Sequence, residues 1–250
     1  MPFRYKLILE FDGGPFVGWQ RQTNGLSIQE ALEEAVFRFC SERVSATGAG
    51  RTDAGVHALA MPAHIDLLKE QSCDVVRDAI NFHLKPYPIA VTSVYAVNQH
   101  FHARFSAAAR HYLYRFATRR APLALDAGRA WRIPATLNVE AMHEAAQSLT
   151  GKHDFTTFRA AQCQAKSPVR TLSEISVTET GEGAALRVCA PSFLHHQVRS
   201  IAGSLAQVGL GKWSKAEIAA ALKAADRKAC GPVAPAEGLY FVKADYPADG

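Results

Sequence analysis

Residues 50–57, Gly-Arg-Thr-Asp-Ala-Gly-Val-His, gather the densest set of chemistry-bearing groups in the chain. Asp53 stands between a cation two residues before it, Arg51, and an imidazole four residues after it, His57, with Gly50 and Gly55 on either side. Such a stretch can hold an ionised carboxylate in surroundings open enough to admit a substrate. The same residues also suit an ordinary turn, because Asp bonds nearby backbone and Gly takes positive φ. Spacing alone does not separate the two readings, so the remainder of the chain must.

No second catalytic signature of similar density competes. The sequence has no P-loop and no Gly-x-Gly-x-x-Gly, so no nucleotide or redox cofactor is expected. The five cysteines (Cys40, Cys73, Cys163, Cys189, Cys230) form no Cys-x-x-Cys pair and are odd in number. They read as scattered thiols in a reducing cytoplasm rather than as a zinc ribbon or a disulfide framework. His195 and His196 invite a metal reading, but adjacent residues on a helix do not share a face, and no metal site is expected. His57 and His102 are read as supporting hydrogen-bonding groups.

Charge is unevenly spread. Residues 1–105 carry 10 basic and 11 acidic side chains, whereas residues 106–250 carry 18 and 12. The basic excess starts at Arg104 and runs through Arg110, Arg115, Arg119, Arg120, Arg129 and Arg132, opposed only by Asp126. Phe101, Phe105, Tyr112, Tyr114, Phe116 and Trp131 are interleaved with it. Guanidinium groups pair with phosphates and aromatic faces stack on unpaired bases, so this stretch fits an RNA partner. It fits a solvated strand with ordinary core aromatics equally well. The N-terminus has no apolar leader, and no apolar run reaches spanning length, so a cytoplasmic protein without membrane contact is expected.

The elements that must position these residues follow from periodicity. Tyr5, Leu7, Leu9 and Phe11 alternate as a strand that breaks at Asp12-Gly13-Gly14-Pro15. Ser27 and Glu30 form a capping-box pattern ahead of a helix carrying Ile28, Leu32, Ala35, Val36 and Phe39. Strands are expected at 44–47 and 56–66 on either side of the Asp53 loop. A helix from Ser72 or Asp74 to Phe82 and a strand at 89–97 follow. The order is β-α-β-β-α-β, the ferredoxin-like pattern. The second half repeats it loosely, with strands at 111–117, 171–178, 184–190 and 238–246. Its helices start after Asn138, near Val198 and at Lys215. The expected class is α+β with antiparallel sheet, in two tightly joined halves, 1–105 and 106–250.

Several ordered blocks together resemble one family, tRNA pseudouridine synthase A. They are Phe11-Asp12-Gly13 with Gly18-Trp19-Gln20-Arg21-Gln22, the loop 50–57, Phe101-His102-Ala103-Arg104-Phe105-Ser106, and Arg110-His111-Tyr112-Leu113-Tyr114. Asp154-Phe155-Thr156-Thr157-Phe158, Phe193-Leu194-His195-His196-Gln197-Val198-Arg199 and Glu237-Gly238-Leu239-Tyr240 complete the set. Gln197 and Ser200 depart from the family's more frequent methionine and asparagine, and Leu113 from a frequent basic residue.

The resemblance implies an isomerase that converts uridine to pseudouridine at positions 38 to 40 of the tRNA anticodon stem-loop. It implies two ferredoxin-like halves sharing an extended, mainly antiparallel sheet, an active cleft between them, and a homodimer. Asp53 is then the catalytic carboxylate, attacking C1′ or C6 or removing a proton from C2′. All three routes need the ionised form. Arg199 would offset the cost of burying it, and Tyr112 would hold the uracil. Arg51, Arg104 and Arg110 would contact the substrate, with Arg115, Arg119 and Arg120 as further phosphate partners. Two other classes stand beside this one. A non-catalytic RNA-binding module has little use for an anion where a polyanion binds. A hydrolase would want a second carboxylate or a metal near Asp53, and no convincing spacing offers either.

Overall fold

The structure is a computed structural model describing residues 2–247; Met1 and residues 248–250, the outer ends of the two expected halves, lie outside the described residues. In chain order the first elements are β1 (Phe3–Phe11), α1 (Ile28–Cys40), β2 (Thr47–Gly48), β3 (His57–Leu67), α2 (Cys73–Leu84) and β4 (Ile89–Val97). Next come β5 (Ala109–Ala117), β6 (Trp131–Arg132), α3 (Val139–Gln147), β7 (Gly151–Asp154), β8 (Val169–Leu172) and β9 (Glu174–Thr180). The chain closes with β10 (Gly183–Ala190), α4 (Gln197–Gly209), α5 (Lys215–Ala224) and β11 (Leu239–Asp245). Mixed α+β architecture with mainly antiparallel pairing is thus observed, with five α-helices among the described residues. None of them is long and apolar enough to cross a membrane.

The chain divides into two compact units, Met1–Ala108 with Tyr240–Gly250, and Ala109–Leu239. The last strand, expected with the second half, belongs to the first unit. In that unit β1 lies between β4 and β3, antiparallel to both. Its odd residues Tyr5, Leu7, Leu9 and Phe11 are buried, as their alternation requires. The other edge of β3 is shared. The short β2 pairs with it antiparallel at His64 and Ala63, and β11 pairs with it parallel at His57 and Ala58. α1 starts where the Ser27 hydroxyl accepts from Glu30 N at 3.1 Å, and it packs on α2, which packs on β4.

In the second unit β10 pairs antiparallel with β5 and with β9, while β6 adds a two-residue parallel bridge to β5. β7 and β8 form a separate antiparallel pair. α3 packs on β9, α4 and α5. The complete reciprocal capping box lies here, at α5, where Ser214 N donates to Glu217 Oε2 at 2.6 Å. The strand expected at 171–178 is broken at Ser173, whose backbone N and hydroxyl both donate to Cys189 O. All five cysteines are free thiols.

Candidate active site

The Asp53 loop spans residues 49–56, between β2 and β3. It is held from outside its own sequence. Gly18 and Asp53 form an isolated antiparallel bridge, and Trp19 N donates to Thr52 O at 3.1 Å. Gly18 adopts φ +109°, and a Cβ there would sit 2.5 Å from Thr52 O. Only glycine allows both the conformation and the approach. Gly13 plays the same part at the loop's exit, where a Cβ would collide with the carbonyl of Val56. Inside the loop, Val56 N donates to Asp53 O at 3.2 Å across a turn in which Gly55 has φ +79°. The stretch is therefore a turn, and one clamped by two distant glycines.

Asp53 is half-buried and Arg51 is exposed. Thr52, between them, is buried, and its hydroxyl oxygen has no hydrogen-bond partner among the described residues. His57 is buried at the loop's end. Its Nδ1 lies 3.1 Å from Gly13 N, which donates to it, and 3.2 Å from Asp12 Oδ1. Its ring stacks on Tyr240, with centroids 4.7 Å apart and planes 27° apart. That environment makes His57 the floor of the loop. Arg104 is exposed, and its guanidinium lies 5.5 Å from the centre of the Phe105 ring.

The remaining candidates belong to the second unit. Tyr112 sits on β5 opposite Val188, half-buried, with its ring edge-on to Phe193 at 5.1 Å. Its neighbours of the same parity, Tyr114 and Phe116, are buried in the core. Burial pushes the Tyr114 hydroxyl well above its ordinary pKa, with Arg199 opposing and Glu237 adding, so it stays protonated and donates to Pro235 O at 2.8 Å. Arg110 is buried, and its Nη1 donates to Pro191 O at 2.6 Å. Arg199 is half-buried on α4, its Nε donating to Ala234 O at 2.8 Å.

The start of α4 differs from the sequence reading. His195 precedes the helix and His196 is its N-cap, with φ +62°, so the argument from helical faces does not apply to them; their rings lie 4.1 Å apart. Gln197 and Ser200, two of the three departures from the family pattern, are completely buried. Gln197 Oε1 accepts from Leu194 N at 2.8 Å, while Gln197 Nε2 and Ser200 Oγ find no partner among the described residues.

The candidates thus divide three and three. Asp53, Arg51 and Arg104 stand in the first unit, and Tyr112, Arg110 and Arg199 in the second. The sequence reading did not single out Gly13, Gly18 and Thr52 as parts of the site. Gly13 and Gly18 stood out only as members of the first family-like block, which gave no hint of what they approach.

Comparisons with known proteins converge. The profile of a family described as tRNA pseudouridine synthase matches residues 7–106 and 145–247. A tRNA pseudouridine synthase A from Maricaulis maris is 59% identical over 98% of this chain and 98% of its own length. Proteins of the same name from Rhodospirillum centenum and Afipia carboxidovorans are 58% and 59% identical, each over 97% of this chain and 99% of theirs. Among solved structures, a dye-decolorizing protein from V. cholerae covers 86% of this chain and 88% of its own at a TM-score of 0.19 and 11% identity, too low to bear on the fold.

Proposed function

The chain belongs to the tRNA pseudouridine synthase family, and on that premise we propose that Asp53 is the carboxylate with which it isomerises uridine in tRNA. The reaction breaks the N1–C1′ glycosidic bond, turns the uracil and joins C5 to C1′. No atom is gained or lost overall, and nothing is oxidised. What it needs is an anion beside the ribose and a surface on which the base can turn.

One observation carries the assignment. Asp53 is half-buried on a loop whose backbone is fixed by Gly18, Trp19 and Gly13. A carboxylate on a preorganised backbone loses little freedom when it meets its reacting atom. The ionised form is needed for attack at C1′, attack at C6 or removal of the C2′ proton, and all three routes stay open. Tyr112 is our choice for the face on which the uracil turns, since its half-exposed ring contrasts with buried Tyr114 on the same strand. Arg199 is assigned, by the resemblance alone, the role of the guanidinium that offsets the cost of burying the carboxylate. Arg51, Arg104 and Arg110 are assigned to the substrate. Buried Arg110 fits a charge brought into the site better than an open phosphate.

The finer reading is of two ferredoxin-like halves, a homodimer, and action in the cytoplasm at positions 38 to 40 of the anticodon stem-loop. For the first half it is supported by the order β-α-β-β-α-β and the strand order β4-β1-β3-β2. For the second it is supported by β5-β10-β9, with α3 between the first and second of these strands in sequence and α4 after the third. A uridine stacked in a stem is out of reach, so the target is flipped, at a few kcal/mol of unstacking.

Purified protein incubated with unmodified tRNA, followed by carbodiimide labelling of pseudouridine, tests the assignment. Asp53→Asn is expected to lower the rate about hundredfold or more while tRNA affinity stays within a few-fold. Near-wild-type turnover by Asp53→Asn would remove Asp53 from the chemistry. Labels appearing outside positions 38 to 40 would correct the target while leaving the acid in place.

A further inference from the structure

We propose that Phe105 is a stacking platform for an unpaired nucleobase of the RNA substrate, with Arg104 beside it for the adjoining phosphate. The proposal rests on the reading of tRNA as substrate. Phe105 is 75% exposed. An exposed apolar side chain standing alone needs no explanation. What sets Phe105 apart is the amount of structure devoted to holding its backbone still.

The loop of residues 98–108 hangs on a pair of groups in the sheet. Arg4 on β1 grips Asp66 on β3 with two parallel bonds of 2.7 Å. The same guanidinium reaches the loop, donating through Nη1 to Phe101 O at 2.7 Å and Gln99 O at 2.8 Å. Phe101 itself is buried and anchors the loop from below. Ala103 is fixed on both sides: its N–H donates to His64 Nδ1 at 3.2 Å, and its carbonyl accepts from the Tyr246 hydroxyl at 2.7 Å. At the tip, His102 Nδ1 accepts from both Arg104 N and Phe105 N at 3.2 Å. Ser106 closes the turn, its hydroxyl accepting from His102 N at 3.0 Å and its own N–H donating to His102 O at 2.9 Å.

The ring is positioned as well as the backbone. The His102 imidazole lies 4.4 Å from it, centre to centre, tilted by 33°. The Arg104 guanidinium lies 5.5 Å from its centre. His102 supports the ring, yet three-quarters of the residue is left to solvent. Aromatic faces take any base, and an adjoining cation takes the phosphate that links it to the next nucleotide. A ring ordered in advance loses little entropy on binding. Charge decides between RNA and a second copy of the chain as occupant. A cation fixed beside an open ring matches a nucleotide, whereas the same loop on a second copy would bring Arg104 against Arg104 about a twofold axis.

The test uses the full chain and unmodified tRNA. Phe105→Ala is expected to raise the Kd for tRNA and the KM about tenfold or more, with kcat within a few-fold of wild type. Phe105→Trp is expected to restore affinity and to show quenching of the new indole as tRNA is added. Phe105→Leu, apolar but without a π face, is expected to behave like Phe105→Ala. Wild-type affinity for Phe105→Ala, or equal rescue by leucine and tryptophan, would overturn the proposal. So would loss of a dimer by Phe105→Ala in sedimentation, since the ring would then serve a contact between copies. Failure of the wild-type protein to form pseudouridine would instead overturn the functional reading on which this one rests.

Discussion

Thr52 carries a hydroxyl that is sealed from solvent and has no partner among the described residues, one position before the candidate acid. A buried hydroxyl without a hydrogen bond costs about 1–3 kcal/mol. Thr52→Val keeps the β-branched shape and removes the cost, so it is expected to raise the urea midpoint by the equivalent of about 1 kcal/mol. A lowered midpoint would show that the hydroxyl is satisfied in solution, for instance by an ordered water. The rate should be measured on the same variant. A more stable but slower enzyme would mean that the hydroxyl is kept for the reaction, in line with the rule that stability is given up at functional sites. Of this neighbourhood, only part was legible in the sequence. Asp53, Arg51 and His57 drew notice because unusual residue types crowd one stretch. Thr52 did not, because whether a hydroxyl is orphaned depends on atoms that folding brings from elsewhere. Gly18 and Gly13 were hidden for a related reason. A glycine's need for positive φ or for a close approach shows only once the opposing carbonyl, here of Thr52 or Val56, is in place.

Elements set the next level of control, and β3 supports both loops of the first unit that carry candidate residues. At its start is His57, the floor of the Asp53 loop; near its end are His64 and Asp66, the hooks for residues 98–108. His64 titrates in a useful range. Burial, then the positive charge of Arg4 on β1 and the competing imidazole of His102 on the loop, push its pKa down from 6.5 to about 4, while Asp66 opposes them. A folded-state pKa below the unfolded value means that the neutral form is the one stabilised. The contribution is therefore complete above pH 6.5 and is lost as pH falls toward 4. Protonation at Nδ1 would also abolish the bond accepted from Ala103 N. Amide exchange at Ala103, corrected for its intrinsic pH dependence, is expected to lose protection between pH 7 and pH 5, and His64→Asn should flatten that dependence. Constant protection across the range would mean that His64 does not hold the loop. The strand itself was foreseen to within a residue at each end, as a mostly apolar run bounded by the glycine-bearing loop before it and by Lys69-Glu70 after it. The strand expected at 44–47 is reduced to the two residues Thr47–Gly48 of β2, while the two-residue β6 and the four-residue β7 carry too little pattern to be read.

At the scale of the whole molecule, the first unit is built from both ends of the chain. The sequence did not disclose this. A run such as 238–246 declares itself a strand by its contiguous apolar and aromatic residues, Leu239 to Val242, but its partner is a matter of tertiary pairing. The closing segment makes many attachments. Tyr240 and Phe241 pair with His57 and Ala58, Tyr240 stacks on His57, and Phe241 is fully buried. Asp245 O accepts from Ala108 N at 2.8 Å. The Tyr246 ring lies 5.1 Å from that of Phe101 and 4.6 Å from the Lys6 ammonium. Each buried aromatic is worth about 1.5–3 kcal/mol, so removing the segment takes away an amount comparable with a domain's whole stability of about 5–15 kcal/mol. A fragment of residues 1–108 is therefore expected to show no cooperative thermal transition by circular dichroism. The same fragment carrying residues 239–247 on a glycine-rich linker should recover one. If residues 1–108 alone melt cooperatively near the full-length midpoint, the C-terminal strand is an accessory and the Asp53 loop must owe its floor to β1 and β3 alone. If the linked fragment melts and the bare one does not, the loop that carries the acid stays incomplete until β11 is in place. The two ends of the sequence are then coupled through His57, a residue that does none of the proposed chemistry.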